Sequence, residues 1–476
     1  ARFVANIKVV DMSPFQRIKI HSIAHFFQFD RLGTSYRTEI LAGVTTFITL
    51  AHTLVVIPSI LSNAIFLQQP GDLFDELVVA TALISAISTL AIGLWTNYPF
   101  ALAPGIGISS VFVFSVMLDL KLDWRLALMA ALMAALLFVG LCVSGWHDRL
   151  VNALPLSLKH AIVAGIGLFI TYTALSGNPA PPKLGAGIIV ASDVTKTTFG
   201  SLANPVTLLA VFGLLLTAGL MVRRVKGGLL WGVLATAGLG WGFGIAPAPK
   251  GLMAMPHFPV HLFGQALTGF EYFTPSQTGN LIAAIFILLF VTLFDSIGSL
   301  MGLGQQAGRL NAEGELPRLG QSLVTISAGN LLGSLLGLSP VVAFLESGAG
   351  IAEGGRSGFS TIIVSGLLFV SVLFLPLFAA VPAFATAPVL ILVGVLMVSG
   401  SVLSIHWNDH AEAIPAFLMI LMMALTFSIA DGMAIGFITY PLLKVFQGKA
   451  REINPILLVL AFLSVLFLVL MTGQKG

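Results

Sequence analysis

The chain alternates long apolar stretches with short polar segments. Apolar stretches of about 20 residues, the length that an α-helix needs to cross a bilayer, recur from Leu41 to Leu470. This pattern predicts an all-α polytopic membrane protein. The candidate spans are 40–64, 76–95, 99–118, 123–144, 157–176, 204–222 and 227–246 in the first half, and 281–305, 319–338, 340–352, 357–379, 384–403, 411–430, 431–446 and 455–472 in the second.

The composition excludes a large soluble domain. Hydrophobic residues make up 57% of the chain, charged residues 9%, and the mean hydropathy is +0.99. A soluble protein carries about 25% charged residues. The net charge of +3 is small and the basic residues lie in loops, so we expect a lipid bilayer as partner and no nucleic acid. The single cysteine, Cys142, excludes an intramolecular disulfide and a cysteine-based metal site.

Two acidic residues stand inside apolar stretches that we expect to be buried in the bilayer. Asp295 lies in LIAAIFILLFVTLFDSIGSLMGL and Glu346 lies in LSPVVAFLESGAGIA. A charged residue at the bilayer centre costs roughly 2.5–3.5 kcal/mol on insertion scales, so such residues normally face a cavity, a partner or a substrate. These two carboxylates therefore predict a binding site. His52 is also placed deep inside a span, and its ordinary pKa near 6.5 suits proton relay.

The two halves of the chain resemble each other weakly. Residues 47–53 (FITLAHT) match residues 290–296 (FVTLFDS), which places His52 opposite Asp295. Aligning Pro104 with Pro340 places Ser110 opposite Glu346. Both prolines stand in short segments interrupted by glycine, and such segments in two matching halves indicate a transporter site near the middle of the membrane.

The positions of Lys and Arg predict the orientation of the chain. Basic residues are concentrated in loops that all fall on the same side, which predicts that this side and the N-terminus are cytoplasmic. Counting both 431–446 and 455–472 as full spans gives fifteen spans and an external C-terminus, and counting one of them as partial gives fourteen. The pattern leaves both possibilities open.

Several motifs, taken together, resemble one family of membrane proteins. They are 38–47 (TEILAGVTTF), 96–107 (TNYPFALAPGIG), 293–300 (LFDSIGSL), 346–356 (ESGAGIAEGGR) and 428–436 (SIADGMAIG). They resemble motifs of the nucleobase–cation symporter-2 superfamily, the xanthine/uracil permease-like proteins. Within it they are closest to the hypoxanthine/adenine/guanine permeases, also called the azaguanine-type branch. The motifs occur in the family's order from about residue 38 to residue 446.

The resemblance implies a fold of fourteen segments in two inverted seven-segment repeats, with short strands in segments 3 and 10. It divides the chain into a cytoplasmic N-terminal segment (1–38), a first repeat (39–246), an extracellular loop (247–280) and a second repeat (281–473). Segments 1–4 and 8–11 would form a core domain, and segments 5–7 and 12–14 a gate domain. The implied function is proton-coupled uptake of a nucleobase by alternating access across the cell membrane, in a possible homodimer. No cofactor other than the coupling proton is implied.

The resemblance also implies which residues bind the substrate. By motif position, Asp295 and Glu346 would hold the base. The chain departs from the branch at Ser109, where Asn is usual, and at Thr292, where Asp is usual; His52 and Ile57 replace a common Tyr and Asn. The predicted substrate-binding residues are Asp295, Glu346, Thr292, Ser109, Ser110, Phe344 and Gly107, and the proton-coupling candidates are Asp295, Glu346 and His52.

Structural explanations compete with these assignments. Thr292 can bond a carbonyl of its own helix, as Thr commonly does in apolar helices. Ser109 and Ser110 can serve as small residues for close helix packing, and His52 can be a satisfied core histidine. Asp431, at a helix break before Gly432, can be the N-cap of the following helix.

Two other functional classes fit the architecture. An anion transporter of the sulfate-permease type shares the implied fold, but the carboxylates of Asp295 and Glu346 would repel an anion. A membrane enzyme or receptor is the third class. The sequence shows no metal-ligand cluster, nucleophile–base motif or phosphate loop, which disfavours an enzyme.

Overall fold

The computed structural model describes residues 23–145, 154–176, 186–192, 196–249, 251–311, 316–426 and 428–472. Most of this length is helical. The α-helices are α1 (Phe29–Leu32), α2 (Tyr36–Leu50), α3 (Thr53–Leu61), α4 (Phe74–Thr96), α5 (Ile106–Ser110), α6 (Trp124–Val143), α7 (Leu156–Leu175), α8 (Pro205–Val222), α9 (Gly228–Gly242), α10 (Gln265–Thr268), α11 (Thr278–Gln306), α12 (Leu319–Leu335), α13 (Ser347–Ala352), α14 (Phe359–Ser371), α15 (Leu375–Ala379), α16 (Ala383–Val402), α17 (His410–Leu425), α18 (Ile429–Phe446) and α19 (Pro455–Thr472).

Many of these helices are suited to a bilayer. Within the described ranges, 8 helices are long and apolar enough to cross a membrane: Tyr36–Leu61, Phe74–Thr96, Trp124–Val143, Leu156–Leu175, Pro205–Val222, Pro275–Gln306, Phe359–Ala379 and Ala383–Val402. Shorter apolar helices are Ile106–Asp119, Gly228–Gly242, His410–Leu425 and Pro455–Val465. These elements coincide with predicted spans. Residues 1–22 of the predicted N-terminal segment lie outside the described residues.

Polar side chains begin several of the helices by capping free backbone N–H groups. Asp123 accepts a hydrogen bond from the backbone N–H of Arg125, and Asn204 accepts one from Val206, where Pro205 opens the helix. Before α18 the cap is Ser428, whose hydroxyl accepts from the N–H of Asp431. The prediction that Asp431 caps this helix is therefore wrong. The helix begins three positions earlier, with Ser428 as its N-cap.

The first span is interrupted in its middle. Helix α2 ends at Leu50 and α3 begins at Thr53, with Ala51 and His52 between them. The His52 Nδ1 lies 2.9 Å from the carbonyl oxygen of Thr49. The ring thereby provides the hydrogen bond that this carbonyl, at the end of α2, lacks from the helix backbone.

Two short strands from the two halves of the chain pair with each other in the interior of the fold. Strand β1 (Leu102–Pro104) pairs antiparallel with β4 (Val341–Ala343), with Leu102 opposite Ala343 and Pro104 opposite Val341. Each strand leads into a short helix, α5 or α13, and α5 continues as a π-helix from Val111 to Asp119. This confirms the predicted strands in segments 3 and 10. We call β1 with α5 the first crossing unit, and β4 with α13 the second. A separate hairpin, β2 (Ile189–Ser192) with β3 (Lys196–Phe199), lies in a loop.

The strand bounds correct the alignment of the two repeats. Pro104 ends β1, whereas Pro340 precedes β4, so the two prolines are not equivalent. Matching the first residues of the strands places Leu102 with Val341 and Glu346 with Gly107. The predicted match of Ser110 with Glu346 is therefore wrong. Proline is suited both to the end of a short strand and to the position before one, and its identity alone does not set the register.

The helices pack in two groups around the crossing units. In the first, α2 packs against α13 and α14, α4 against α12 and α14, and α6 against α11 and α12. We call these helices, with β1, β4 and α5, the strand-containing group. In the second, α7 packs along α16 and α17, α16 packs against α8 and α9, and α18 packs against α17 and α19. We call this the flanking group.

One end of the bundle is rich in arginine, and we call it the basic face. Arg309 Nη2 donates to the carbonyl of Asn97 (3.0 Å), and Arg318 Nη1 donates to the carbonyl of Thr96 (3.2 Å). These bonds bring the end of α4 beside the segment between α11 and α12. The buried Glu39 accepts the N–H of Arg356 at 2.8 Å, which joins the start of α2 to the end of the second crossing unit.

Candidate functional site

Glu346 stands at the turn between β4 and α13. It is the N-cap residue of α13, and 17% of its side chain is exposed. The first N–H groups of this short helix are already bonded to backbone carbonyls: Ser347 to Phe344, Gly348 to Leu345 and Ala349 to Glu346. These three N–H groups are therefore not free to bind a ligand, and the Glu346 carboxyl group is the candidate for ligand contact at this end of the helix.

His52 faces Glu346. Its Nε2 lies 4.0 Å from the Glu346 Oε1, and the imidazole is fully buried. The Nε2 has no hydrogen-bond partner, whereas Nδ1 contacts the carbonyl of Thr49. The alignment of the halves makes His52 the counterpart of Asp295 in the other repeat, and the structure places His52 beside the acid of the second crossing unit. The break between α2 and α3 turns the ring toward α13, which packs against α2.

Asp295 lies on α11, and its side chain is partly exposed. Its carboxyl group is close enough to that of Glu346 for their charges to interact. Helix α11 packs against both β4 and α13, so it presents Asp295 to the second crossing unit. Glu346 and His52 therefore face each other, and Asp295 lies on the adjacent helix α11; we call these three residues, from separate parts of the chain, the cluster.

Two hydroxyl groups on α11 flank this carboxylate. The side chains of Thr292 and Ser296 are 2% and 0% exposed, and neither hydroxyl has a hydrogen-bond partner. Thr292 therefore does not bond a carbonyl of its own helix, which excludes its structural explanation. A buried hydroxyl without a partner costs free energy, so both groups are candidates for a ligand's hydrogen bonds. We did not predict Ser296 from the sequence, although it follows Asp295 directly and stands one turn after Thr292.

The two predicted serines of the first crossing unit are already engaged. The Ser109 hydroxyl is 2.7 Å from that of Ser339, just before β4, and the Ser110 hydroxyl donates to the carbonyl of Ile106 at 3.1 Å. Both side chains are buried. In this structure Ser109 joins the two repeats, and Ser110 bonds within its own helix.

Gly107 and Phe344 occupy different surroundings. A Cβ atom added to Gly107 would lie 3.1 Å from Ile166 Cγ2 and 3.5 Å from Met397 Cε, so this glycine faces α7 and α16 of the flanking group. Phe344 is 6% exposed, and its backbone N–H donates to the carbonyl of Ala101 at 2.9 Å. Phe344 extends the strand pairing, directly before the Glu346 turn.

The cluster of Asp295, Glu346 and His52 offers hydrogen-bond acceptors and a place for a proton. Two carboxyl groups can accept N–H donors, and the open Nε2 can accept or donate according to its protonation. Among the described residues, no group of three or more His, Cys, Asp or Glu side chains is placed to hold a metal ion.

Comparison with known proteins agrees with this arrangement. A family model described as "Permease family" matches residues 37–472. A putative permease of Methanocaldococcus jannaschii, MJ0326, is 41% identical over 451 residues, covering 95% of this chain and 99% of the relative. The guanine/hypoxanthine permease PbuG of Bacillus subtilis is 40% identical over 447 residues, covering 93% of this chain and 99% of the relative.

A solved structure shows the same fold. The transmembrane domain of a cyanobacterium bicarbonate transporter, BicA, superposes with a TM-score of 0.56 at 15% sequence identity, covering 84% of this chain and 97% of that one. This likeness confirms the predicted fold class, a mostly helical membrane fold built from inverted repeats. The chain therefore belongs to the permease family of nucleobase–cation symporter-2 proteins and is a multi-pass membrane transporter, not an enzyme.

Proposed function

We propose that the protein takes up a purine nucleobase, such as hypoxanthine, guanine or adenine, together with a proton. The observation that carries the proposal is the cluster of Asp295 and Glu346 at the second crossing unit, in a chain that is 40% identical to a guanine/hypoxanthine permease. Purines present N–H donors beside ring-nitrogen and carbonyl acceptors. Carboxylates that accept N–H donors form charge-assisted hydrogen bonds, which are the stronger kind.

Each group of the cluster has a proposed role. Asp295 and Glu346 accept the N–H groups of the base, and the unpartnered hydroxyls of Thr292 and Ser296 supply further hydrogen bonds. Phe344 and Gly107 are proposed to act through packing, Phe344 beside the Glu346 turn and Gly107 at the contact with the flanking group. Ser109 and Ser110 act indirectly, since their hydroxyls already bond protein atoms.

The coupling proton is proposed to reside between His52 and Glu346. With Nδ1–H donating to the carbonyl of Thr49, a neutral ring presents the lone pair of Nε2 toward the Glu346 carboxyl. One proton shared by the pair leaves either a neutral acid beside a neutral ring or an ion pair. Both forms remove the net negative charge that a deprotonated Glu346 would add beside Asp295. Only the ion pair leaves the Glu346 carboxylate ionised to accept an N–H of the base, so the proposal places the proton on His52 when the base is bound.

Alternating access is proposed to arise from movement between the two helix groups. The strand-containing group would be the core and the flanking group the gate, because the crossing units belong to the first and meet the second at Gly107. The basic face would be cytoplasmic, following the excess of basic residues in its loops. We propose the cell membrane as the location, with the N-terminus inside, and a homodimer as the assembly.

Uptake measurements test the proposal. In a strain lacking its own carriers, labelled hypoxanthine, guanine, adenine, xanthine and uracil are offered separately at several external pH values. We expect uptake of at least one purine, rising as the external pH falls, and a loss of uptake in Asp295→Asn. Unchanged uptake in Asp295→Asn would refute the site. Uptake of a purine without any dependence on pH would refute the coupling ion alone.

The likeness to a bicarbonate transporter keeps an anion carrier as the alternative. That likeness concerns the fold, whereas two carboxylates at the crossing would repel an anion. Binding of bicarbonate or sulfate to the purified protein, with no thermal stabilisation by any nucleobase, would favour the alternative.

A further inference from the structure

The short loop between α8 and α9 reaches from the flanking group to the strand-containing group. Gly227 in this loop has a φ of +70°, and a Cβ atom added to it would lie 2.4 Å from Ile48 Cγ2 and 3.0 Å from the Ile48 carbonyl oxygen. A side chain at position 227 would therefore collide with α2. Glycine allows both the left-handed backbone and the close approach.

The neighbouring residue of the loop makes an ion pair across the same boundary. Lys226 Nζ contacts Glu353 Oε1, and the two side chains are 53% and 26% exposed. Lys226 lies between two helices that pack against α16, whereas Glu353 follows α13, which packs against α2 and α11. The ion pair thus joins the flanking group to the second crossing unit at the basic face.

The place of Glu353 explains why it needs a cation. It is the C-cap residue of α13, where the backbone carbonyls concentrate partial negative charge. An acidic residue there is unfavourable unless a positive charge compensates it. The Arg356 guanidinium donates to the Ile351 carbonyl at this same helix end (2.7 Å), whereas Lys226, in the other helix group, contacts the Glu353 carboxylate itself. Separating the groups would therefore remove the cation that Glu353 contacts.

The ion pair lies at the opposite end of α13 from Glu346. Glu346 caps the start of α13 and Glu353 caps its end, so the short helix leads from the site to the ion pair. Under the proposed alternating access, a substrate that leaves Glu346 along α13 toward the basic face would pass the loop that carries Lys226.

We propose that Lys226 and Glu353 form a latch that closes the mouth of the site at the basic face and has to open in every transport cycle. This inference rests on the proposed alternating access. An exposed ion pair of this kind shifts an equilibrium by up to about fivefold. Such a latch is strong enough to favour the closed form and weak enough to open without a separate energy source.

Cross-linking tests whether the latch has to open. In a Cys142→Ala background, Lys226→Cys and Glu353→Cys are joined by a short bifunctional thiol reagent that a reductant cleaves. The matched control joins Glu76→Cys to His261→Cys, a pair in contact at 2.5 Å outside the basic face. We expect cross-linking at the latch to stop purine uptake and reduction to restore it, whereas the control cross-link leaves uptake unchanged. Undiminished uptake with the latch cross-linked would overturn the proposal.

Charge reversal tests the role of the ion pair itself. We expect Lys226→Glu and Glu353→Lys each to change the rate of uptake by up to about fivefold, and the double variant Lys226→Glu/Glu353→Lys to restore it. Arg223→Glu, which makes the same charge change in the same loop, is the control and should have a smaller effect. A double variant no better than the single ones would overturn the latch. Purine binding, measured by thermal stabilisation of the same variants, separates this outcome from failure of the proposed function.

Discussion

The two crossing units share a scaffold but differ in chemistry. In each, a polar side chain of the preceding helix holds the start of the strand: Thr89 bonds both backbone groups of Leu102 at 2.9 Å, and Asn330 accepts the N–H of Val341 at 2.6 Å. Each short helix also carries a serine that reaches the other unit. Ser347 of α13 accepts the N–H of Ala101 at 2.9 Å. Ser109 of α5 forms a hydrogen bond with Ser339, the residue before Pro340.

The functional groups, by contrast, gather on one side only. The second unit places Glu346 beside His52 and within the electrostatic range of Asp295, whereas the matching position in the first unit is Gly107. A glycine there leaves room for contact with the flanking group. The comparison teaches that the repeat supplies a symmetric frame, while the acidic and imidazole side chains lie at the second unit and the glycine contact with the flanking group lies at the first.

The largest expected effect follows from removing the charge of Glu346, which has no counterpart in the first unit. We expect Glu346→Gln to weaken purine transport roughly 10- to 150-fold, since a hydrogen bond to a charged group contributes about 1.5–3 kcal/mol. Measured kcat/KM for uptake checks this, with the amount of folded protein determined in parallel. An effect below threefold would mean that the second unit does not hold the substrate.

The next prediction compares one glycine from each unit. A Cβ at Gly350 would lie 2.1 Å from Thr46 Oγ1 and 2.5 Å from the Ala42 carbonyl, so Gly350→Ala should destabilise the fold by about 1–3 kcal/mol. At Gly107 the nearest atoms belong to side chains that can shift. Gly107→Ala should therefore fold normally and slow transport at the boundary between the groups. Thermal unfolding and uptake, measured on both variants, distinguish the two. An equal loss of stability in Gly350→Ala and Gly107→Ala would contradict the predicted difference between the two units.

Removing either serine hydrogen bond between the units should lower stability by a smaller amount, and the loss should be similar for the two units. Ser347→Ala removes the acceptor of a buried N–H, and Ser109→Ala leaves the Ser339 hydroxyl without its partner, so each should cost roughly 1 kcal/mol of stability. The double variant Ser109→Ala/Ser339→Ala should cost less than the sum of its single variants. A double-variant cycle of thermal stability measures this coupling. Strict additivity would argue against the link between the repeats.

The smallest effect concerns Ser110. Its hydroxyl donates to a carbonyl of its own helix, so Ser110→Ala should change uptake by less than about twofold. A loss of tenfold or more, with stability unchanged, would show that the first unit also contacts the substrate. Both units would then contribute residues to the substrate site.

Much of the architecture was predictable because it depends on local pattern. The lengths of the apolar stretches predict the spans, and the family resemblance implies the two strands, which the structure pairs with each other. The importance of Asp295 and Glu346 followed from the cost of charge in a membrane. The alignment of the halves was wrong at Pro104 because two prolines with different structural roles share one residue type.

Contacts between distant segments could not be predicted from the sequence. The approach of His52 to Glu346 depends on the break in the first span, and that of Lys226 to Glu353 on the packing of the two helix groups. Ser109 looked like a substrate ligand until the structure placed it against Ser339.

The sequence by itself determined that this protein is a membrane transporter of the permease family, because hydrophobic length and motif order are properties of the chain. Only the tertiary structure decided which polar groups face each other. Burying a polar side chain costs free energy unless it finds a partner, and the partners of distant side chains come from segments that only the packing of helices brings together.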